Sequence, residues 1–276
     1  MAEPLAPEGR RYRVISALGR GGFGHVWRAM DGLEKRHVAV KLLPSLLPRQ
    51  QTMVRHELTA LRWLRLPGVV RLLDEGQDED QTFIVMEEIA GDPFPGVSTP
   101  VTWGQIEPVV VRLLEILAQV HRAGVVHLDL KPGNVLVSDG EPTLLDFGVS
   151  RGRSLAETFR EGSVAGTPRY AAPEQLQGHP DARSDLYALG VMLFEALTGR
   201  PPHDDRDLTE LVRAKLNEPA PGLEEVPDLP EQAARLINSL LAREPSERPQ
   251  EALDALKILG VRSSLELAPA LDARLP

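Results

Sequence analysis

Apolar and polar positions change their period along the chain, and the change divides it in two. Residues 12–18, YRVISAL, and 25–30, HVWRAM, alternate apolar with polar, the spacing of half-buried strands. Asp31-Gly32 marks a turn, and HVAVKLL (37–43) follows as a third strand, its apolar residues inward and Lys41 projecting the other way. From Arg49 to Leu66 the spacing widens. Leu58, Leu61 and Leu64 recur as on one helical face, and Pro67-Gly68 closes the run. VVRLLDEG (69–76) and TFIVMEEI (82–89) return to strand character with an acidic turn between them. The pattern predicts a small β-rich unit of five strands and one helix. Gly91 to Thr102, rich in proline and glycine, is predicted to be a linker.

Beyond that linker the period is helical. Val109, Leu113, Leu117 and Val120 share a face and predict a helix over 106–123, stopped by Gly124. DLYALGVMLFEALT (185–198) is apolar nearly all round, which marks a buried helix. Ser184 is its expected N-cap, and Gly199 with two prolines its stop. Two more helices are expected at 208–217 and 231–241, and VLV (135–137) forms a short strand. No internal repeat or low-complexity tract is visible.

Composition narrows the function. The 276 residues suffice for one large domain or two lobes, and 42% hydrophobic with 26% charged content suits a soluble globular protein. A net charge of −9 gives nucleic-acid binding no electrostatic support. With no cysteine, disulfides and thiolate metal sites are excluded. The apolar run 109–120 is interrupted by Arg112 and Glu115, so no membrane segment is expected. The first eleven residues lack the apolar core of a signal peptide, and a cytoplasmic location is expected. Lysines occur only at 35, 41, 131, 215 and 257 among 31 basic residues, so each merits separate inspection.

The candidate chemistry lies in ordered pieces. LGRGGFGHVW places glycines at 19, 21 and 24, which let a backbone approach phosphate oxygens and offer amide N–H groups. A dinucleotide fingerprint requires a helix after the third glycine; here a strand, a turn and another strand follow. Lys41 stands on that later strand, and Glu57 on the next helix could pair with it. HLDLKPGN (127–134) then packs a histidine, an aspartate, a lysine and an asparagine into eight residues, and LLDFG (144–148) supplies Asp146. Any one piece has a bland reading as a turn or an edge lysine. Their order does not.

In that order the motifs resemble those of the eukaryotic-type (Hanks-type) serine/threonine protein kinase family, from about Tyr12 to about Leu259. The resemblance implies an α+β fold of two lobes. Residues 12–90 would form a small β-rich N-lobe and 91–259 a larger, mainly helical C-lobe, with tails at 1–11 and 260–276. It implies ATP and magnesium, or manganese in its place. Gly19, Gly21 and Gly24 would cover the phosphates, Leu18 and Gly22 would belong to the same ATP site, and Lys41, paired with Glu57, would bind the α and β phosphates. Val26, Ala39 and Leu136 would enclose the adenine ring. Met86 would be the gatekeeper, the backbone of Glu87 to Ile89 would hold adenine, and Asp92 is a candidate for the ribose. Asp129 would orient the acceptor hydroxyl and take its proton, Lys131 would steady the γ phosphate, and Asn134 and Asp146 would hold the metal. Leu61, Leu72, Phe147 and His127 resemble the family's hydrophobic column, which makes His127 structural rather than a base.

The segment GTPRYAAPEQL (166–176) resembles the one on which protein kinases rest a peptide, with Thr167 facing Asp129 and Lys131. It separates protein substrates from small-molecule ones. Glu174 matches the glutamate that pairs with a late arginine, here Arg248, and Asp185 the carboxylate that braces the catalytic loop. Protein substrates, and the chain itself at Ser154, Thr158 and Ser163, are the implied acceptors. TPRYAAPEQL and the composition resemble bacterial members. A same-fold module without catalysis would lack one of these groups, and none is missing. Leu128 departs from the pattern: most regulated members carry an arginine there that binds an activation-loop phosphate. Leucine offers no donor, so control is expected from partner binding, a regulatory dimer or the helix around Glu57.

Overall fold

The structure, a computed structural model, describes residues 11–21, 24–43, 62, 64–78, 81–96, 99–147, 168–204 and 206–266. The chain forms two compact units, Met1–Arg65 with Val70–Ala90, and Leu66–Val69 with Gly91–Pro276.

In the first unit, strands β1 (Tyr12–Gly21), β2 (Gly24–Asp31), β3 (Arg36–Leu43), β4 (Leu72–Asp78) and β5 (Gln81–Glu87) form one antiparallel sheet in the order β1-β2-β3-β5-β4. Alternation explains one face. Tyr12, Ala29, Val38, Val40, Leu42 and Val85 make a core flanked by Trp27, Leu73 and Phe83. Arg11 closes the end of the sheet, its guanidinium 2.9 Å from Asp31 and 3.0 Å from Asp74.

Lys41 lies on the face of β3 opposite Val38, Val40 and Leu42, and that face too is covered: every residue from Val38 to Leu43 is buried, and Lys41 is only 3% exposed. One expectation changes here. The strand expected from Val69 begins at Leu72, because Val69 instead bridges Leu144 of the second unit, to which it belongs. Most of the helix expected over 49–66, including Glu57 and Leu61, lies outside the described residues. Arg62 is helical and Leu64 to Leu66 are not.

The second unit is built around helix α1 (Trp103–Arg122), whose apolar face buries Ile106, Val110, Leu113, Leu114, Leu117 and Val120. Its first turn is closed by Gln105, whose side-chain oxygen accepts from the Thr102 backbone N–H at 2.8 Å. Part of the expected linker is strand. β6 (Asp92–Pro93) pairs with β7 (Val135–Ser138), which pairs with β8 (Glu141–Leu144). Residues 66–69 join this unit through a hydrogen bond from Leu144 N–H to the Gly68 carbonyl at 2.8 Å. Gly68 has φ 78, and an added Cβ would lie 2.3 Å from Ile116 Cδ1, so only glycine fits.

Helices α2 (Pro173–Gln177), α3 (Ala182–Thr198), α4 (Leu208–Asn217), α5 (Glu231–Leu240) and α6 (Ala252–Ile258) complete the unit. α3 is buried from Ser184 to Leu197, as its unpatterned apolar run requires. Its N-cap is Asp181, which accepts from the Arg183 N–H at 2.8 Å; Ser184 lies three residues inside. The C-terminal stretch docks on α1, where Ser263 donates to Glu115 at 2.9 Å and Arg122 to the Leu265 carbonyl at 2.9 Å. Among the described residues, no helix is long and apolar enough to cross a membrane.

Candidate active site

In the first unit the glycine loop is the end of the β1–β2 hairpin, with Gly19 opposite Val26 and Gly21 opposite Gly24. A strand follows Gly24, which is incompatible with the dinucleotide fingerprint. A Cβ on Gly19 would meet no protein atom within 4 Å, so packing does not demand the glycine. Leu18 is exposed nearby. The sheet register sets Val26 beside Lys41, and Ala39 beside Met86. After Met86 the chain leaves β5 through Glu87 and Glu88, and the Arg28 guanidinium on β2 pairs with Glu88. Gly22 and Glu57 lie outside the described residues.

The second unit gathers Asp129, Lys131 and Asn134 on one loop. Lys131 Nζ lies 2.7 Å from Asp129 Oδ2. The Asn134 amide donates to the Asp129 carbonyl and to Asp129 Oδ2, both at 2.8 Å. The Asp129 side chain is nevertheless 31% exposed, open to an incoming group. Backbone accounting explains the loop's shape. The Asp185 carboxylate, from buried α3, accepts the His127 and Leu128 N–H groups at 2.8 Å each. His121 Nε2, on α1, lies 2.8 Å from the same carboxylate. Burial alone would raise the Asp185 pKa, but the hydrogen bonds from His121 and the His127 backbone hold it below the ordinary range.

His127 is fully buried with both ring nitrogens engaged. Nδ1 accepts from the Asp129 N–H at 3.2 Å, so the proton sits on Nε2, which donates to the Leu145 carbonyl at 2.8 Å. Its ring lies 4.7 Å from that of Phe147. A histidine so occupied holds structure and moves no proton. Its bond to Leu145, whose own N–H donates to Asn134 at 2.9 Å, carries the chain into Asp146, which adopts a left-handed φ of 37.

These donors fit a hard cation. Both Asn134 side-chain bonds use the amide nitrogen, which leaves the amide oxygen's lone pairs to coordinate a cation. Among the described residues no cluster of three or more His, Asp or Glu forms a metal cage. A sparse set of oxygens completed by phosphate is the usual way magnesium is held.

Residues 168–176 are held from beneath. Arg248 is bidentate to Glu174 at 2.7 and 2.9 Å, and its three remaining N–H groups reach the carbonyls of Ala242, Arg183 and Arg243. Ser184 donates to Glu174 at 2.6 Å. Tyr170 and Arg169 both engage buried Glu195. Gln175 donates to the Leu128 carbonyl at 2.8 Å and so links this segment to the loop of Asp129. Thr167, Ser154, Thr158 and Ser163 lie outside the described residues.

Sequence reasoning gave no role to His121, Gln175, Glu195 or Lys215. Only the fold shows that Gln175 and Lys215 answer backbone carbonyls, that His121 meets the Asp185 carboxylate, and that Glu195 meets Tyr170 and Arg169.

A small antiparallel sheet, a helical unit and a loop that presents an aspartate, a lysine and an asparagine define a phosphotransferase fold. The protein kinase domain model matches residues 12–258. The chain belongs to this family, as a Hanks-type serine/threonine kinase domain of the bacterial kind. It is 37% identical over 251 residues to the DNA damage-responsive serine/threonine-protein kinase RqkA of Deinococcus radiodurans, covering 87% of this chain and 38% of that protein. It is 34% identical over 252 residues to the serine/threonine-protein kinase PknL of Mycobacterium tuberculosis, covering 88% and 63%. The chain thus spans less than two thirds of these curated relatives. A crystal structure of Rad53 residues 1–466 with AMP-PNP matches with a TM-score of 0.75 at 25% identity, covering 90% of this chain and 65% of that one. The family uses ATP and a divalent metal.

Proposed function

We propose that this chain transfers the γ-phosphoryl group of ATP to serine and threonine hydroxyls of proteins, itself included. The observation that carries the reading is the Asp129 carboxylate, steadied by Lys131 and Asn134 on a loop suspended from buried Asp185. Asp129 would accept a hydrogen bond from the acceptor hydroxyl and take its proton as the oxygen bonds to phosphorus. The bond from phosphorus to the β–γ bridging oxygen breaks, and ADP departs. Such a reaction needs positioning and positive charge more than covalent help. Lys131 would face the charge that develops on the moving group. Asn134 and Asp146 would hold magnesium, with manganese as a substitute; the ion offsets phosphate charge.

Lys41, with Glu57, would hold the α and β phosphates under Gly19, Gly21 and Gly24, with Leu18 and Gly22 in the same ATP site. Val26, Ala39, Met86 and Leu136 would line the adenine, the backbone from Glu87 to Ile89 would bond to it, and Asp92 would meet the ribose. The AMP-PNP carried by the Rad53 neighbour supports a nucleotide. Residues 12–90 and 91–259 are the proposed lobes, 1–11 and 260–276 the tails, and the cytoplasm, where ATP is supplied, the proposed location.

Labelled ATP, magnesium and a generic protein substrate test the assignment. Lys41→Ala and Asp146→Asn should each lower phosphotransfer by at least two orders of magnitude, about 3 kcal/mol of barrier. Asp129→Asn should reduce kcat far more than ATP affinity. Wild-type rates in any of the three would overturn the reading, as would phosphotyrosine as the main product.

A further inference from the structure

Lys215 lies near the end of α4 and is 1% exposed, a depth at which a lysine is rare unless its ammonium is paired. Its ammonium donates to the Ala171 carbonyl at 2.8 Å and stands 4.9 Å from the centre of the Tyr187 ring. The Arg248 guanidinium is 4.8 Å from the same ring. A buried lysine whose hydrogen-bond partner is a backbone carbonyl serves that carbonyl. Ala171 lies between Tyr170, tied to Glu195, and Glu174, tied to Arg248, and the Lys215 bond fixes the stretch between those two anchors.

We infer that Lys215 is a positioning residue for the acceptor polypeptide, setting the backbone of residues 170–172 on which the peptide rests while taking no part in the phosphoryl chemistry. This rests on the reading of 166–176 as the peptide's resting place. The electrostatics agree with the geometry. Burial, with Arg248 adding to it and Glu174 opposing, pushes the Lys215 ammonium down to about 7. The groups that face it are Tyr187 from α3, Glu174 from α2, Arg248 from the turn before α6, and His203 from the loop before α4. Burial and then Lys215 hold His203 below its ordinary value, with Glu218 opposing. The tie to Ala171 is therefore strongest with the proton on and slackens as pH rises past neutrality.

Steady-state kinetics with a Ser/Thr peptide, at about pH 6.5 and 8.5, test the inference. At the lower pH, Lys215→Met should raise KM for peptide roughly tenfold, a loss of about 1.4 kcal/mol, with kcat at saturating peptide little changed. The wild-type peptide KM should rise between the two pH values, and the variant should lose that dependence. An unchanged peptide KM in folded variant, or a fall in kcat alone, overturns the inference. Should the variant melt at assay temperature, the wild-type profile decides, and a flat peptide KM overturns it. A wild type that hydrolyses ATP yet phosphorylates no serine or threonine peptide overturns the parent reading as well, and so separates the two failures.

Discussion

Leu128 has φ 62, a conformation that costs a residue bearing a β-carbon roughly 1 kcal/mol or more, and both of its backbone polar groups are taken. Its N–H goes to Asp185 and its carbonyl to Gln175, while its side chain is 8% exposed. Asp185 therefore supports strain beside the proposed catalytic carboxylate. An asparagine there would set an amide N–H against a backbone N–H. Asp185→Asn should lower stability by about 1–3 kcal/mol in urea denaturation, and lower kcat at least tenfold with little change in KM for ATP. Acid acts on the same residue. The folded carboxyl binds its proton less readily than the unfolded one, so its contribution is complete above the ordinary value of 3.8 and fades as pH falls through the lower folded one. Full activity in the variant would show that the loop keeps its shape by other means.

Among elements, α2 and the turn that precedes α6 are joined by the Glu174–Arg248 pair, in which the arginine side chain is fully buried. Desolvation makes such a pair a modest net contributor, yet removal of one member strands the other. Arg248→Met should cost about 3–5 kcal/mol, and the double variant with Glu174→Gln should recover part of it; equal losses in single and double would refute the coupling. This pairing was legible from motif order, and the helices over 208–217 and near 231–241 from the sequence; in the latter one apolar face, Ala233, Leu236, Ile237 and Leu240, repeats cleanly. β6, β8, α2 and α6 were not. They are two to seven residues long, too short for any period to appear, and are fixed by partners far along the chain. Asp181 and Ser184 both suit an N-cap; Asp181 holds the place because the helix begins at Ala182, ahead of the apolar run, and Asp181 accepts from the Arg183 N–H. Gly190, an unexpected glycine in mid-helix, is explained by α5: a Cβ there would come within 2.9 Å of the Leu240 Cβ.

For the whole molecule the open question is what turns it on. Leu128 offers a phosphate neither charge nor donor. We therefore expect autophosphorylation at Ser154, Thr158 and Ser163, with Thr167 spared, but no large activation through Ser163. Phosphatase-treated enzyme and Ser163→Ala should retain activity within tenfold of the phosphorylated protein in a peptide assay. A drop of a hundredfold or more, about 3 kcal/mol, would return control to the loop; otherwise it belongs to partners, a dimer or the helix around Glu57. The two compact units bear on the chain's history as well. Residues 66–69 belong with the second unit although they interrupt the first in sequence, and they arrive there carrying Gly68 against Ile116 and Val69 against Leu144. A genetic crossover near residue 90, the apparent seam, would bring these four residues from one parent and Ile116 and Leu144 from the other. Relatives that differ at these positions should recombine poorly at that seam, and better at one placed before residue 66.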